Sequence, residues 1–341
     1  MKISFIGGGN MTQAILGGLI ASGYAAHDCF VVEPMEAARA KLAAHGVASS
    51  EVWDRRALEA DVILLAVKPQ MMRIAVAPMA GALGTQLVIS IAAGIRTMNL
   101  SQWLGDMKSG YERIVRAMPN TPALVHAGIT GLYAMPLVAA SQKTSAETLL
   151  ASVGKTVWCD DEKMLDAVTA VSGSGPAYVF YFIEALEAAA LELGFDADTA
   201  RLFALETFAG SSKLALMSAD SPATLRANVT SKRGTTERAI EAFDHARLKS
   251  KFIDGVKAAA QRSAELGREL GSAALDIQPA GVEIFNLGYL RDAILSKVCQ
   301  IFSAIFLTFI SFSTMALATI MQLSFCRVIC HFGKNMVAGG K

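Results

Sequence analysis

Gly7-Gly8-Gly9-Asn10-Met11 is the first run of residues in the chain whose types and spacing point to chemistry. It follows the apolar stretch ending at Ile6 and opens a helical stretch through Ala14, Ile15 and Leu19. Glycines suit a tight turn, and the second required glycine, Gly9, must lack a side chain if a pyrophosphate is to approach the backbone amides. The helix start then offers unpaired N–H groups and a partial positive charge to that anion. Thr12 stands where a third Gly or Ala is usual, so the pattern is incomplete, and a bare glycine triplet also suits a plain structural turn. Placement between a strand and a helix favours a dinucleotide site. Glu33 closes the second apolar run, 24 residues beyond Gly9, where an acidic residue reaches the adenosine ribose hydroxyls. It leans towards NAD; Arg39 could swing back to a 2′-phosphate, which keeps NADP open, and Glu33 could also be a solvated strand-end acid.

Four later segments complete the candidate site. Ala66-Val67-Lys68-Pro69 closes a predicted strand, and Lys68 could meet ribose or phosphate unless it is merely solvated. Ala92 and Ala93 are small enough to let a flat nicotinamide lie against backbone. Asn120 sits between Pro119 and Pro122, which stiffen its turn; its amide suits a ribose or carboxamide, or simply forms the turn. Ser174 and Gly175 join two predicted helices, with Pro176 in the first turn of the second. The loop from Thr230 to Gly234 precedes a helix beginning Thr235-Thr236, and such a start is a carboxylate receptor. Ordinary capping by Ser231 or Thr235 is the alternative.

No metal is expected. The five histidines (His27, His45, His126, His245, His331) fall in no metal-ligand spacing, and the five cysteines (Cys29, Cys159, Cys299, Cys326, Cys330) form neither a disulfide framework nor a CxxC site. With 31 basic and 30 acidic residues, no basic field favours nucleic acid.

The elements that position these residues follow from hydrophobic patterning. Apolar runs at 3–6, 29–32, 62–67, 87–91 and 113–117, with weaker ones near 129–133 and 156–159, alternate with helical spacers. Such runs predict a parallel sheet covered on both faces, an α/β domain of the Rossmann-type doubly wound class over 1–160. Strand-like runs then stop. Helical stretches at 161–171, 175–193, 197–218, 221–229, 234–243 and 245–270 predict an all-α second domain over 161–270. The 175–193 helix is apolar around most of its circumference, which suits the interface of a homodimer or higher homo-oligomer.

Residues 271–341 differ, with no charge between Val298 and Cys326, a run of 29 residues long enough to span a bilayer. Three readings fit this extension: a membrane anchor at 298–326, a packing helix, or translated sequence without selected function. The N-terminus lacks a signal peptide, so the body is expected in the cytoplasm.

FIGGGNM, AVKPQ, SIAAGI, RAMPNTPA, SGSGPAYVF and VTSKRGTT, in this order and spacing, resemble the pyrroline-5-carboxylate reductase family from Met1 to about Leu270. The resemblance implies hydride transfer from NADPH or NADH to a cyclic imine, giving proline. It also implies cofactor contacts from Ile6, Gly7, Gly8, Gly9, Asn10, Met11, Glu33, Ala66, Val67, Lys68, Pro69, Ala92, Ala93 and Asn120. Ser174, Gly175, Ser231, Gly234, Thr235 and Thr236 would hold the substrate, with the Thr236 hydroxyl near the ring nitrogen. A protonated imine accepts hydride directly, so no Cys, His or paired carboxylate is needed. One departure is Arg233, where the family usually has glycine; if the backbone there needs a positive φ, arginine is strained. A β-hydroxyacid dehydrogenase would need a general-base lysine, and 175–193 contains none. A membrane-tethered NAD-sensing domain would explain the tail but leave the Ser-Gly-Ser-Gly-Pro and Thr-Thr loops without a purpose.

Overall fold

Short apolar runs separated by helices pair in parallel because each crossover helix carries the chain back to the same end of the sheet. The computed structural model describes residues 1–272, all within the unit Met1–Ala274. The apolar extension, with its 298–326 segment, therefore lies outside the described residues except for Gly271 and Ser272.

The strands are β1 Ile3–Ile6, β2 Cys29–Val32, β3 Ala48–Ser50, β4 Val62–Leu65, β5 Leu87–Ser90, β6 Ile114–Met118, β7 Gly128–Ala134 and β8 Gly154–Trp158. They form one sheet in the order β3-β2-β1-β4-β5-β6-β7-β8. From β3 to β6 every pairing is parallel, with Ile6 level with both Val32 and Leu65, and Leu65 level with Ser90. The sheet lies between helices α1 Asn10–Ala21, α2 Glu36–Ala44, α3 Met72–Val76, α4 Thr97–Leu104 and α5 Ala140–Ala151. β1, β4 and β5 are buried along their whole length, as expected of central strands covered on both faces.

Two features depart from the patterning. β3 was not predicted: Ala48-Ser49-Ser50 has no β-branched or aromatic residue, and its position comes from edge pairing with β2. β7 runs antiparallel to β6, where a parallel sheet was expected. Only the short turn around Thr121–Val125 joins them, with no crossover helix, and a connection that short can only reverse the chain.

Helices follow β8: α6 Met164–Val168, α7 Gly175–Glu192, α8 Ala197–Met217, α9 Pro222–Asn228, α10 Thr235–His245 and α11 Leu248–Ser272. The predicted 161–171 helix ends early, because a π-turn at Thr169–Gly173, closed by the Ser174 amide on the Thr169 carbonyl at 2.7 Å, breaks it before α7. α7 and α8 pack on each other. Even so, α7 buries no residue fully, and Tyr181 is 68% exposed.

A charged seam binds sheet to helices. Arg116 on β6, only 1% exposed, pairs with Glu162 at 3.1 Å, and Glu162 also accepts from the Thr97 amide and hydroxyl, each at 2.8 Å. Beside it Arg96 pairs with Asp166 at 2.7 Å, whose other oxygen accepts from Ser263 of α11 at 2.9 Å. Burial pulls the Arg116 guanidinium below its ordinary range and Glu162 opposes that shift.

Candidate active site

The turn after β1 is set by Gly7, whose φ of 103° favours glycine. A Cβ at Gly7 would also sit 2.8 Å from the Ala66 carbonyl oxygen. Gly9 is different: its backbone is one that any residue adopts, and no atom lies within 4 Å of where its Cβ would be. Gly9 is also the N-cap of α1, with no side-chain cap and no acidic residue in the first turn. The first amides of α1, at Asn10 and Met11, therefore border open space, as an anion site requires. Thr12 at the third position of the pattern is fully buried, and its hydroxyl donates to the Gly7 carbonyl at 2.7 Å, tying the loop to its own helix.

Parallel pairing brings the other cofactor candidates into one row, since Ile6, Glu33, Ala66–Pro69, Ala92–Ala93 and Asn120 all lie at or just past the carboxyl ends of β1, β2, β4, β5 and β6. These strands are neighbours in the sheet, and the crevice outside such ends is where open α/β sheets bind ligands. Glu33 is not a solvated acid. It is 6% exposed, and its carboxylate accepts from the Gly8 amide at 2.6 Å and the Met35 amide at 2.8 Å. Lys68 is exposed just before Pro69 begins a short 3₁₀ turn. The Asn120 carbonyl accepts from the Ile129 amide at 2.9 Å, fixing the side chain's orientation.

Asn120 also lines an open cavity of about 430 Å³ with Ser172, Gly175, Pro176 and Tyr178, walled by aromatic residues that include Phe208 and Phe252. The Tyr178 ring meets Phe252 edge-on at 5.7 Å, and its hydroxyl is buried with no hydrogen-bond partner among the described residues. Sequence reading missed Tyr178, although it lies three residues beyond Gly175 and so on the same face of α7. Phe208 and Phe252 gave no signal, because aromatic residues on helices read as core. A second cavity, of about 390 Å³, lies by Ala60–Val62 and Thr85–Leu87, at the amino ends of β4 and β5 and away from this row.

The 230–236 loop is built differently. Gly234 is the N-cap of α10 and no side chain caps that helix, so the expected alternative of capping by Ser231 or Thr235 does not occur. The Gly234 amide instead donates to the Ser231 carbonyl at 3.0 Å, and the first amides of α10, at Thr235 and Thr236, stay uncapped. Arg233 has a φ of 59°, and its amide donates to Glu237 at 2.5 Å. No residue of this loop lines the 430 Å³ cavity in a single chain.

Neither described cysteine is a ready nucleophile. Burial, helped by Asp28, pushes the Cys29 thiol up to about 11, and burial also raises that of Cys159. Among the described residues no three His, Cys, Asp or Glu side chains converge on one point.

Residues 162–266 match the family model described as pyrroline-5-carboxylate reductase dimerisation, and residues 2–94 match the one described as NADP oxidoreductase, coenzyme F420-dependent. The chain is 44% identical over 274 residues to a pyrroline-5-carboxylate reductase of Pseudomonas aeruginosa, covering 79% of this chain and 98% of that protein. A solved reductase of this name from Coxiella burnetii is 40% identical with a TM-score of 0.72, covering 78% of this chain and 98% of that one. A Plasmodium falciparum pyrroline carboxylate reductase solved with NADP bound is 27% identical with a TM-score of 0.69, over the same shares of the two chains.

Proposed function

The chain belongs to the pyrroline-5-carboxylate reductase family, an NAD(P)-dependent reductase of a C=N bond, and we propose how its residues divide that work. Residues 1–160 hold the dinucleotide and 161–270 supply the substrate side and the dimer contact. Gly7 makes the turn, Gly9 leaves room for the pyrophosphate, and the amides of Asn10 and Met11 hold it. Ile6, Ala66, Val67, Lys68 and Pro69 frame the ribose and phosphate on one side of the crevice, and Glu33 faces the adenosine ribose. Ala92 and Ala93 give the nicotinamide a flat seat. Asn120, its carbonyl already committed to Ile129, keeps its NH2 group for a ribose or carboxamide oxygen. When bound, NADPH or NADH supplies the hydride.

The substrate is a ring imine carrying a carboxylate. Uncapped amides at Thr235 and Thr236, with Gly234 turning the chain into them and the Ser231 hydroxyl beside them, suit the carboxylate, and the Thr236 hydroxyl orients or protonates the ring nitrogen so that its carbon is electrophilic. Ser174 and Gly175 border the ring. No side chain need attack the substrate, and none of the described thiols is set up to do so.

The 230–236 loop lines none of the cavity in one chain, and α7 and α8 present Phe180, Tyr181, Leu202, Phe203, Leu216 and Met217 to solvent. An apolar face of this extent needs a cover. Pairing of two copies through α7 and α8 supplies it and brings the substrate loop to the strand edge, so the working unit is a homodimer or a larger homo-oligomer. A cytoplasmic setting would keep the thiols reduced and provide NAD(P)H. Among the described residues no helix is long and apolar enough to cross a membrane.

The uncapped first turn of α1 against the open space at Gly9 carries this assignment. Loss of NAD(P)H absorbance that requires both the protein and pyrroline-5-carboxylate is the expected result. A chain that binds NAD(P)H and leaves it unoxidised would be a sensing domain instead.

A further inference from the structure

Glu33, at the end of β2, is held in place by the glycine loop after β1. Both oxygens of the Glu33 carboxylate accept backbone N–H groups, from Gly8 in the glycine loop and from Met35 in the turn after β2. Its Cβ and Cγ lie 3.0 Å from where a Cβ on Gly8 would be, and its own amide donates to Ser50 of β3 at 2.9 Å. Rotation of the carboxylate away from the ribose would break two short hydrogen bonds and leave the Gly8 amide without its partner.

The nearby cation is committed as well. Arg39 gives Nη1 to the carbonyls of Glu33 at 2.9 Å and Pro34 at 2.6 Å, and its Nη2 lies 3.3 Å from the exposed Glu51 carboxylate. To clamp a 2′-phosphate it would have to leave these three oxygens.

Resting on the cofactor reading above, we propose that Glu33 selects NADH over NADPH while serving as the strut of the glycine loop. Two N–H groups use about half of the acceptor capacity of a carboxylate, so its remaining lone pairs can take the hydroxyls of a free ribose. A 2′-phosphate brings acceptors and negative charge to the same fixed carboxylate and meets like-charge repulsion. Selectivity and loop geometry then rest on one side chain. A substitution that admits the 2′-phosphate must also loosen the pyrophosphate site for both cofactors.

The test is equilibrium binding, by calorimetry, of ADP-ribose and its 2′-phosphorylated form to the full chain, with KM and kcat for NADH and NADPH alongside. The wild type should bind ADP-ribose about tenfold or more tightly than the 2′-phosphate. E33Q keeps the shape but turns an NH2 group towards one backbone N–H. It should weaken both ligands, bring their ratio towards one, and raise both cofactor KM values with kcat at saturation largely kept. R39A should leave the ratio within about twofold, since Arg39 faces backbone carbonyls. Equal or tighter binding of the phosphorylated ligand by the wild type would overturn the proposal. So would a selective loss of that ligand in R39A, which would make Arg39 the phosphate clamp. Failure of both ligands to bind the wild type would instead sink the cofactor reading itself.

Discussion

The two loops that open α1 and α10 look alike in sequence, each a glycine-bearing turn before a helix, yet the chain finishes one and leaves the other open. Around Gly7–Gly9 the loop is tied internally: Thr12 holds the Gly7 carbonyl, Glu33 holds the Gly8 amide, and Gln13 holds the Gly8 carbonyl at 2.9 Å. Its strained position is occupied by glycine, so the conformation costs little. Around Ser231–Thr236 the loop is exposed, and arginine occupies the left-handed position. A dinucleotide site needs rigid amides in a fixed row, and one chain supplies them. The 231–236 loop is tied only within itself and its own helix, through the Gly234 amide on Ser231 and the Arg233 amide on Glu237, and among the described residues no strand of the sheet braces it.

The largest effect is expected where the two halves meet. Arg116→Ala leaves the Glu162 carboxylate facing the emptied interior and should cost about 3 kcal/mol or more, read as a lower urea midpoint. A loss under about 1 kcal/mol would mean that the seam does not hold the sheet to the helices. Next in size is Gly9→Val. Its backbone angles suit any residue and nothing crowds the site, so folding stability should stay within about 1 kcal/mol. Cofactor affinity should fall roughly a hundredfold, as the added side chain fills the space before the α1 amides. Normal NADH binding by Gly9→Val would break the contrast drawn between the loops.

Thr236→Ala probes the other loop. Turnover with pyrroline-5-carboxylate should fall about tenfold while the affinity for NADH or NADPH is unchanged, because Thr236 lines neither the glycine loop nor the cavity near Asn120. If turnover is unaffected, the ring nitrogen takes its proton elsewhere, and the buried Tyr178 hydroxyl becomes the next group to remove.

Much of the N-terminal sheet was legible because its signals are local. Ile3–Ile6 followed by a glycine triplet is a strand and a turn within a few residues, and the level register of β1, β2, β4 and β5 places the later motifs automatically. What stayed hidden depends on partners distant in sequence. Ala48–Ser50 is a strand only because β2 lies beside it, and β7 reverses only because its connection is short. The bonds of Glu33 to Gly8 and Met35 could not be read from spacing, which puts an acid at the end of the second strand and says nothing of the amides behind it. Tyr178 and Phe252 come together only when α7 packs on α11. The Arg233 concern was legible, since a family position that calls for glycine is a statement about backbone angles, and φ there is indeed positive.

Arg233→Gly gives the smallest expected effect and separates strain from chemistry. Arginine at a φ of 59° carries a penalty of about 1–2 kcal/mol, and glycine returns part of that gain through its looser unfolded chain. The net stabilisation should be about 0.5–1 kcal/mol, a rise of about 2 °C in Tm. The Arg233 amide donor to Glu237 survives the change, so the start of α10 should keep its shape. If the KM for pyrroline-5-carboxylate is then unchanged, the arginine is strain without function and the open amides alone receive the carboxylate. If KM rises as stability improves, the guanidinium is a working contact, and the strain is the cost of placing a charge at the left-handed position of this exposed loop.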